Sequence, residues 1–264
     1  MPFLEILKAR FRKLYLYRHT LWDMAVKQLK TKYSGSKLGI WWTIATPLIL
    51  AASINFIFNK IFKIDIPNYT LLVLSGILPW MFFSNAILEA TNSFTANVGI
   101  LKQAIFPREF IPLSGILANL LDFFIGFSII LPLFLILNLK VITVVLFLFL
   151  PLILLFIFII GLGLIFSVCN VFSKDLPHFL SIGLMIWFWI TPVFYSIDML
   201  SFPYRWICLA NPLTYYIISC QAILFGAKIP PLGIMAVSVF ISLFFLIAGF
   251  IFFIKKESQL LKRI

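Results

Sequence analysis

Few residues in this chain could do chemistry, and they are widely spaced. Asp122 interrupts the otherwise uncharged run Phe110–Leu139, three residues after Asn119. A lone carboxylate among apolar residues can bind a coupling proton or sodium ion. It can also be a buried group paired with a neighbour such as Asn119, a backbone group or water. Carriers driven by ion gradients usually hold several such groups, so the structural role is expected. The chain has no GxxxxGK[ST] run and therefore no P-loop of its own. It shows no nucleophile–base pair suited to catalysis, so no catalytic residue is assigned. The two histidines are far apart and the three cysteines form no CxxC pair, so no metal site is expected. Cys208 and Cys220 could pair in an oxidising compartment, but buried free thiols are the simpler expectation.

The stretch Phe106–Pro112, FPREFIP, is the other feature that stands out: two prolines bracket an Arg–Glu pair. Pro107 suits the first turn of a helix, where a missing N–H costs nothing. Glu109 would lie near the positive end of that helix's dipole, and Arg108 could pair with it or with a lipid phosphate.

The elements that must position these residues are membrane helices. The chain is 62% hydrophobic and 11% charged, with mean hydropathy +1.10. Apolar runs of about 20 residues that do not alternate with polar ones exclude a soluble domain and a β-barrel. The sequence shows no cleavable signal peptide. Six spans are expected, near residues 38–59, 70–88, 110–138, 141–168, 179–197 and 231–254. Residues 1–37 precede them, and 255–264 form a tail. A seventh uncharged run, 206–227, carries the turn signal Asn211-Pro212. With six spans and the N-terminus inside, 16 of the 21 Lys and Arg residues fall on the cytoplasmic side. A seventh crossing would put the basic tail outside. Residues 206–227 are therefore expected to form a re-entrant pair of short helices between spans five and six. The net charge of +12 then reflects this bias and anionic lipid headgroups rather than nucleic acid.

Ahead of the spans, Phe3, Leu4, Leu7, Phe11, Leu14 and Tyr15 recur at helical spacing. A second helix is expected from Thr20, with Asp23 completing a capping box and Leu21, Trp22, Ala25, Val26 and Leu29 on its apolar face. Both fit amphipathic helices at the inner membrane interface, or a docking surface for a cytosolic partner.

Four patches in order carry a family resemblance. The first is Lys32-Tyr33-Ser34-Gly35-Ser36-Lys37-Leu38-Gly39 with Trp42 and Pro47, and the second is FPREFIP. The third runs from Lys174-Asp175 to Thr191-Pro192-Val193-Phe194-Tyr195. The fourth is Asn211-Pro212-Leu213-Thr214 with Gly226. On the six-span layout they resemble the membrane permeases of type-2 ABC exporters of polysaccharide, the group of O-antigen, capsule and teichoic-acid exporters. The chain departs from that pattern with Lys174 and Gln221 where the family often has Arg, which removes a charge-based role at Gln221.

The resemblance implies a homodimer with two ABC ATPase subunits, which bind ATP and Mg while this chain binds no cofactor. It also implies a multi-pass protein of the bacterial inner membrane with both termini cytoplasmic. Within coupling loop 91–109, a coupling helix would meet the ATPase through Asn97, Val98, Ile100, Leu101 and Lys102. Pro107, Arg108 and Glu109 would form its stiff link. The conduit would lie on the two-fold axis. Aromatics of spans one and five, Trp41, Trp42, Phe56, Phe58, Trp187, Trp189 and Tyr195, are candidates for its wall, because rings offer flat faces to sugar C–H groups. Asn211, Pro212 and Tyr215 are candidates for an outer gate. The expected function is ATP-driven export of lipid-linked polysaccharide, O-antigen first. Capsule, teichoic acid, drugs and small lipids are alternatives, as is an ion-coupled carrier using Asp122. A glycosyltransferase would have to rely on Asp65 and Asp198.

Overall fold

The structure is a computed structural model. It describes residues 12–63, 66–99 and 106–263, and every regular element among them is helical. In chain order, α1 is Arg18–Tyr33, α2 Trp42–Asn55, α3 Tyr69–Ala96, α4 Phe110–Leu137 and α5 Phe149–Phe172. They are followed by α6 Leu176–Ile190, α7 Tyr204–Ala210, α8 Pro212–Leu224 and α9 Leu232–Arg263. A 3₁₀ turn precedes α2 and a π-helical turn follows it, giving a continuous span Gly39–Ile61.

The chain is multi-pass: among the described residues five helices are long and apolar enough to cross a membrane, and the bent pair of α7 and α8 together is a sixth candidate. FPREFIP, the start of α1 and the end of α9 share one end, called here the joint end. The outer ends of α7 and α8 lie at the other, the hairpin end. α7 and α8 meet at 100°. The bend at Asn211 lies level with Trp187, inside the end of α6. Phe225, just past α8, touches Asn138 at the end of α4. Both arms therefore return to the hairpin end, as expected of a re-entrant pair.

Some bounds differ from the sequence expectation. α3 runs eight residues past residue 88. The polar residues there satisfy themselves on the helix, Thr91 to the Ile87 carbonyl and Asn92 to that of Leu88, so loss of hydropathy does not end it. α6 is only 15 residues, about 22 Å, against a hydrocarbon thickness of about 30 Å. Non-helical Thr191–Ser196 continues its path. The 255–263 tail is not separate but prolongs α9. α1 begins at Arg18 with no side-chain cap, so the Thr20 capping box is absent. The first amphipathic segment, 3–15, lies largely outside the described residues, as does Asp65.

α3 is the hub, packed against α2, α4, α5, α6 and α8. Of its most apolar window 78% is buried, against 22% for the first span. α5 and α9 form the most extensive pair, because Gly161 faces the Phe245–Leu246 backbone and Gly249 faces that of Gly161. A Cβ at either would overlap the partner helix, and small residues permit such contact where lipid supplies no hydrophobic drive. Tyr216 joins the same contact by hydrogen bonds to the Ser238 carbonyl and the Ser242 hydroxyl. Gly76 likewise admits the Val193 carbonyl against α3. α2 and α6 stay peripheral, with Ile49, Phe56, Phe179, Met185 and Trp189 exposed.

Candidate functional site

Two polar networks lie within this apolar frame. At the joint end, α1 climbs along α4. Gln28 Nε2 donates to the Ser114 hydroxyl (3.0 Å), and one turn later Lys32 Nζ reaches Asp122 Oδ2 (2.6 Å) and Asn119 Oδ1 (3.1 Å). Tyr33 and Thr43 both donate to Asp122 Oδ1 at 2.7 Å. Asn119 in turn donates to Glu89 Oε2 (3.2 Å) and the Gly115 carbonyl. One carboxylate thus ties α1, the start of span one and α4 together. Burial pushes the Tyr33 phenol well above the usual tyrosine range, so it keeps its proton and acts as a donor.

The sequence expectation for Asp122 was a paired, structural carboxylate, and it is paired. Its charged partner, however, is Lys32 rather than Asn119. The signal was the Lys32-Tyr33 pair, singled out above for other reasons; separation by 90 positions hid the contact. Beside it lies an open cavity of about 390 Å³ between α1, span one, α3 and α4, lined by Lys32, Thr46, Asn85 and Asp122 among others.

The hairpin-end network is closed. Asn211 caps α8 by accepting from Leu213 N (3.0 Å), accepts from Trp187 Nε1 (2.7 Å) and donates to Thr191 Oγ1 (2.8 Å). Pro212 fills the first position of α8, where no N–H is needed. Gln221 donates to the Pro192 carbonyl (2.7 Å), so an uncharged amide holds the Thr191–Tyr195 turn. Tyr195 donates to the Ile190 carbonyl (3.0 Å) and Tyr215 to that of Leu209 (2.8 Å). Cys208 and Cys220 are both buried free thiols.

The aromatic candidates divide. Trp41 (63% exposed), Trp42, Phe56 and Trp189 (56% exposed) face outward. Trp187 packs edge-on against Phe83, Phe58 lies against Tyr69 and Phe194, and Tyr195 is edge-on to Phe194. Those three help build the fold.

At the coupling loop, Ile100, Leu101 and Lys102 lie outside the described residues. Asn97 donates to the Ser93 carbonyl, and Val98 is half-buried nearby. After Pro107 the chain turns directly into α4, with Phe110 N bonded to the Pro107 carbonyl. Arg108 pairs with Glu257 on α9 at 3.0 Å, a partner the sequence did not suggest, and not with Glu109. Glu109 is buried. Phe106, Ile111, Phe94, Phe253 and Leu260 belong to one small apolar cluster at this end, so the proline joint is clamped by the tail of α9. Glu257 carried no sequence signal, because a single acid in a basic tail reads as a solvated charge.

Comparison with known proteins places this chain in a family. A 34% identical relative, matched over 81% of this chain and 82% of its own length, is the "O-antigen export system permease protein RfbA" of Klebsiella pneumoniae. A second K. pneumoniae protein of that name is 33% identical over 75% of this chain and 79% of its own. One from Myxococcus xanthus is 30% identical over 86% and 90%. The family profile described as "ABC-2 type transporter" matches residues 20–225, from within α1 to the end of the re-entrant pair, and the chain belongs to that family.

Proposed function

We propose that this chain is the membrane-spanning permease of an ATP-driven exporter of lipid-linked O-antigen polysaccharide. The observation that carries the reading is the match, along three-quarters or more of the chain, to three permeases named for O-antigen export. The geometry agrees with it. The apolar outer faces of α2 and α6 are the least covered surfaces of the bundle and suit a second copy across a two-fold axis. The proline joint before α4, braced by α9, would carry a partner's rigid-body motion into α4. In this reading two ATPase subunits bind ATP and Mg and dock on the coupling loop, and this chain catalyses nothing itself. Both termini face the cytoplasm across the inner membrane. Exposed Trp41, Trp42, Phe56 and Trp189 offer ring faces to the cargo. The ion-coupled alternative needed Asp122, but that carboxylate is already engaged by an ammonium group and two hydroxyls.

The test is co-purification from native membranes in mild detergent. A soluble P-loop ATPase is expected in equal amount, and deletion of this chain is expected to abolish polysaccharide on the outer surface. A chain that comes out alone, or a deletion strain that still exports, would sink the reading.

A further inference from the structure

The cavity beside Asp122 is one chamber of a longer trough. A second chamber of about 400 Å³ shares Lys32, Asn85 and Asn119 with it, and a third of about 460 Å³ shares Gln28, Lys32, Glu89 and Asn97 with the second. Together they follow α3 from Leu78 to Asn97, about 28 Å at the helical rise. Asn85, Glu89, Asn92 and Ala96 recur at helical spacing and form one stripe of α3 along it.

Three observations define what such a trough would take. First, Asn85 and Asn92 are exposed on α3, Asn85 within its apolar part and Asn92 in its polar extension, where Nδ2 already donates to the Leu88 carbonyl. A bare amide facing hydrocarbon is costly, so this stripe belongs against water or a polar ligand. Second, Gln28 Oε1 and Ser93 Oγ are buried without a hydrogen-bond partner, and both residues line the middle chamber. Buried polar atoms are nearly always satisfied, and a small rotation of either side chain would turn its free oxygen into the chamber. Third, among the described residues the charged groups on the walls are Lys27 and Lys32 against Glu89 and Asp122, which cancel formally. A phosphate group would call for surplus positive charge, and an apolar compound would leave the amides unsatisfied. Amides both donate and accept, which matches a neutral chain carrying many hydroxyls.

We propose that this trough is a binding site for the neutral sugar residues of the cargo, forming the joint-end part of its route along α3. The proposal rests on the exporter reading above. It places glycan contact on amides of α3 and α1, with Trp42 of α2 on the wall of the first chamber and the aromatics of α6 apart from it.

The experiment is photo-crosslinking in the intact transporter, in cells that make the polysaccharide. With p-benzoyl-phenylalanine at position 85, an adduct carrying polysaccharide is expected. The probe at position 240, an exposed Phe on α9, is expected to give none. Adducts at position 85 with phospholipid or protein only would overturn the site. If position 189 yields polysaccharide and position 85 does not, the exporter reading stands and the trough fails. If neither yields it and cells lacking this chain still export, the exporter reading itself fails. As a second measurement, joint replacement Asn85→Leu and Asn92→Leu is expected to lower export about tenfold, the effect of losing one or two net hydrogen bonds. Asn85→Gln, which keeps the amide, is expected to retain more than half. Undiminished export in the double variant, recovered with its ATPase in equal amount, would overturn the proposal.

Discussion

The two ends of the bundle handle polar groups in opposite ways. At the hairpin end, Asn211, Trp187, Thr191 and Gln221 spend their donors and acceptors on one another and on the carbonyls of one turn. At the joint end, Lys32, Asn119 and Asp122 are equally well bonded but form the wall of an open trough, with further amides left facing it. A closed network fixes a shape, here the bend of a re-entrant pair and the end of the short helix α6. An open one fixes a shape and also leaves hydrogen-bonding capacity for something else. The candidate gate residues Asn211 and Tyr215 therefore act on the fold first, whereas the amides of α3 are the groups still available to a ligand.

Substitutions can break this comparison, and the largest expected effect is at Asp122. Asp122→Ala strands the Lys32 ammonium and two hydroxyls. It should cost about 3 kcal/mol in denaturant unfolding in mixed micelles, the low end for a broken buried pair because the Lys32 side chain is 33% exposed. Replacing both partners, Lys32→Met with Asp122→Leu, should recover more than half. A double variant as unstable as the single one would show that the ion pair is not what holds α1 to α4. Next is Asn211→Ala, which removes a helix cap and leaves the Trp187 N–H without its acceptor. About 2 kcal/mol is expected, with export and stability falling together. A loss of export at unchanged stability would instead make Asn211 a gate.

Gln221→Leu should cost about 1–2 kcal/mol by stripping the Pro192 carbonyl of its donor. Limited proteolysis should show the 191–196 segment cut faster. The smallest stability effect is expected for Glu257→Gln, about 0.5 kcal/mol, because the pair with Arg108 is partly exposed and screened by salt. Its sharper readout is the ratio of polysaccharide exported to ATP hydrolysed in the assembled transporter. That ratio should fall, and the charge-reversed pair Arg108→Glu with Glu257→Arg should restore part of it. An unchanged ratio would reduce the clamp on the proline joint to packing alone.

Much of this architecture could be read along the chain, for local reasons. Apolar runs gave the helices, because a backbone in lipid must satisfy its own hydrogen bonds. Asn211-Pro212 gave the break between α7 and α8, because Asn is a good cap and Pro belongs in a first turn. The prolines of FPREFIP bracketed the start of α4, with Pro112 in its first turn and Pro107 ahead of the Glu109 cap rather than inside the helix as expected. Where hydropathy was the only guide the bounds slipped: α3 continues past residue 88 because Thr91 and Asn92 bond back to their own helix, which no hydropathy pattern records.

The sequence by itself determined which segments are helical, where they break and that Asp122 would need a partner, since these follow from propensity, capping and the cost of an unpaired charge in lipid. The partners were decided only by the tertiary structure. Lys32 meets Asp122 across 90 positions and Arg108 meets Glu257 across 149, because the register of α1 on α4 and of α9 beside the joint is set by close packing of whole helix faces. The trough has the same origin. It is a space that three helices and α1 leave between them, and no one of them contains it.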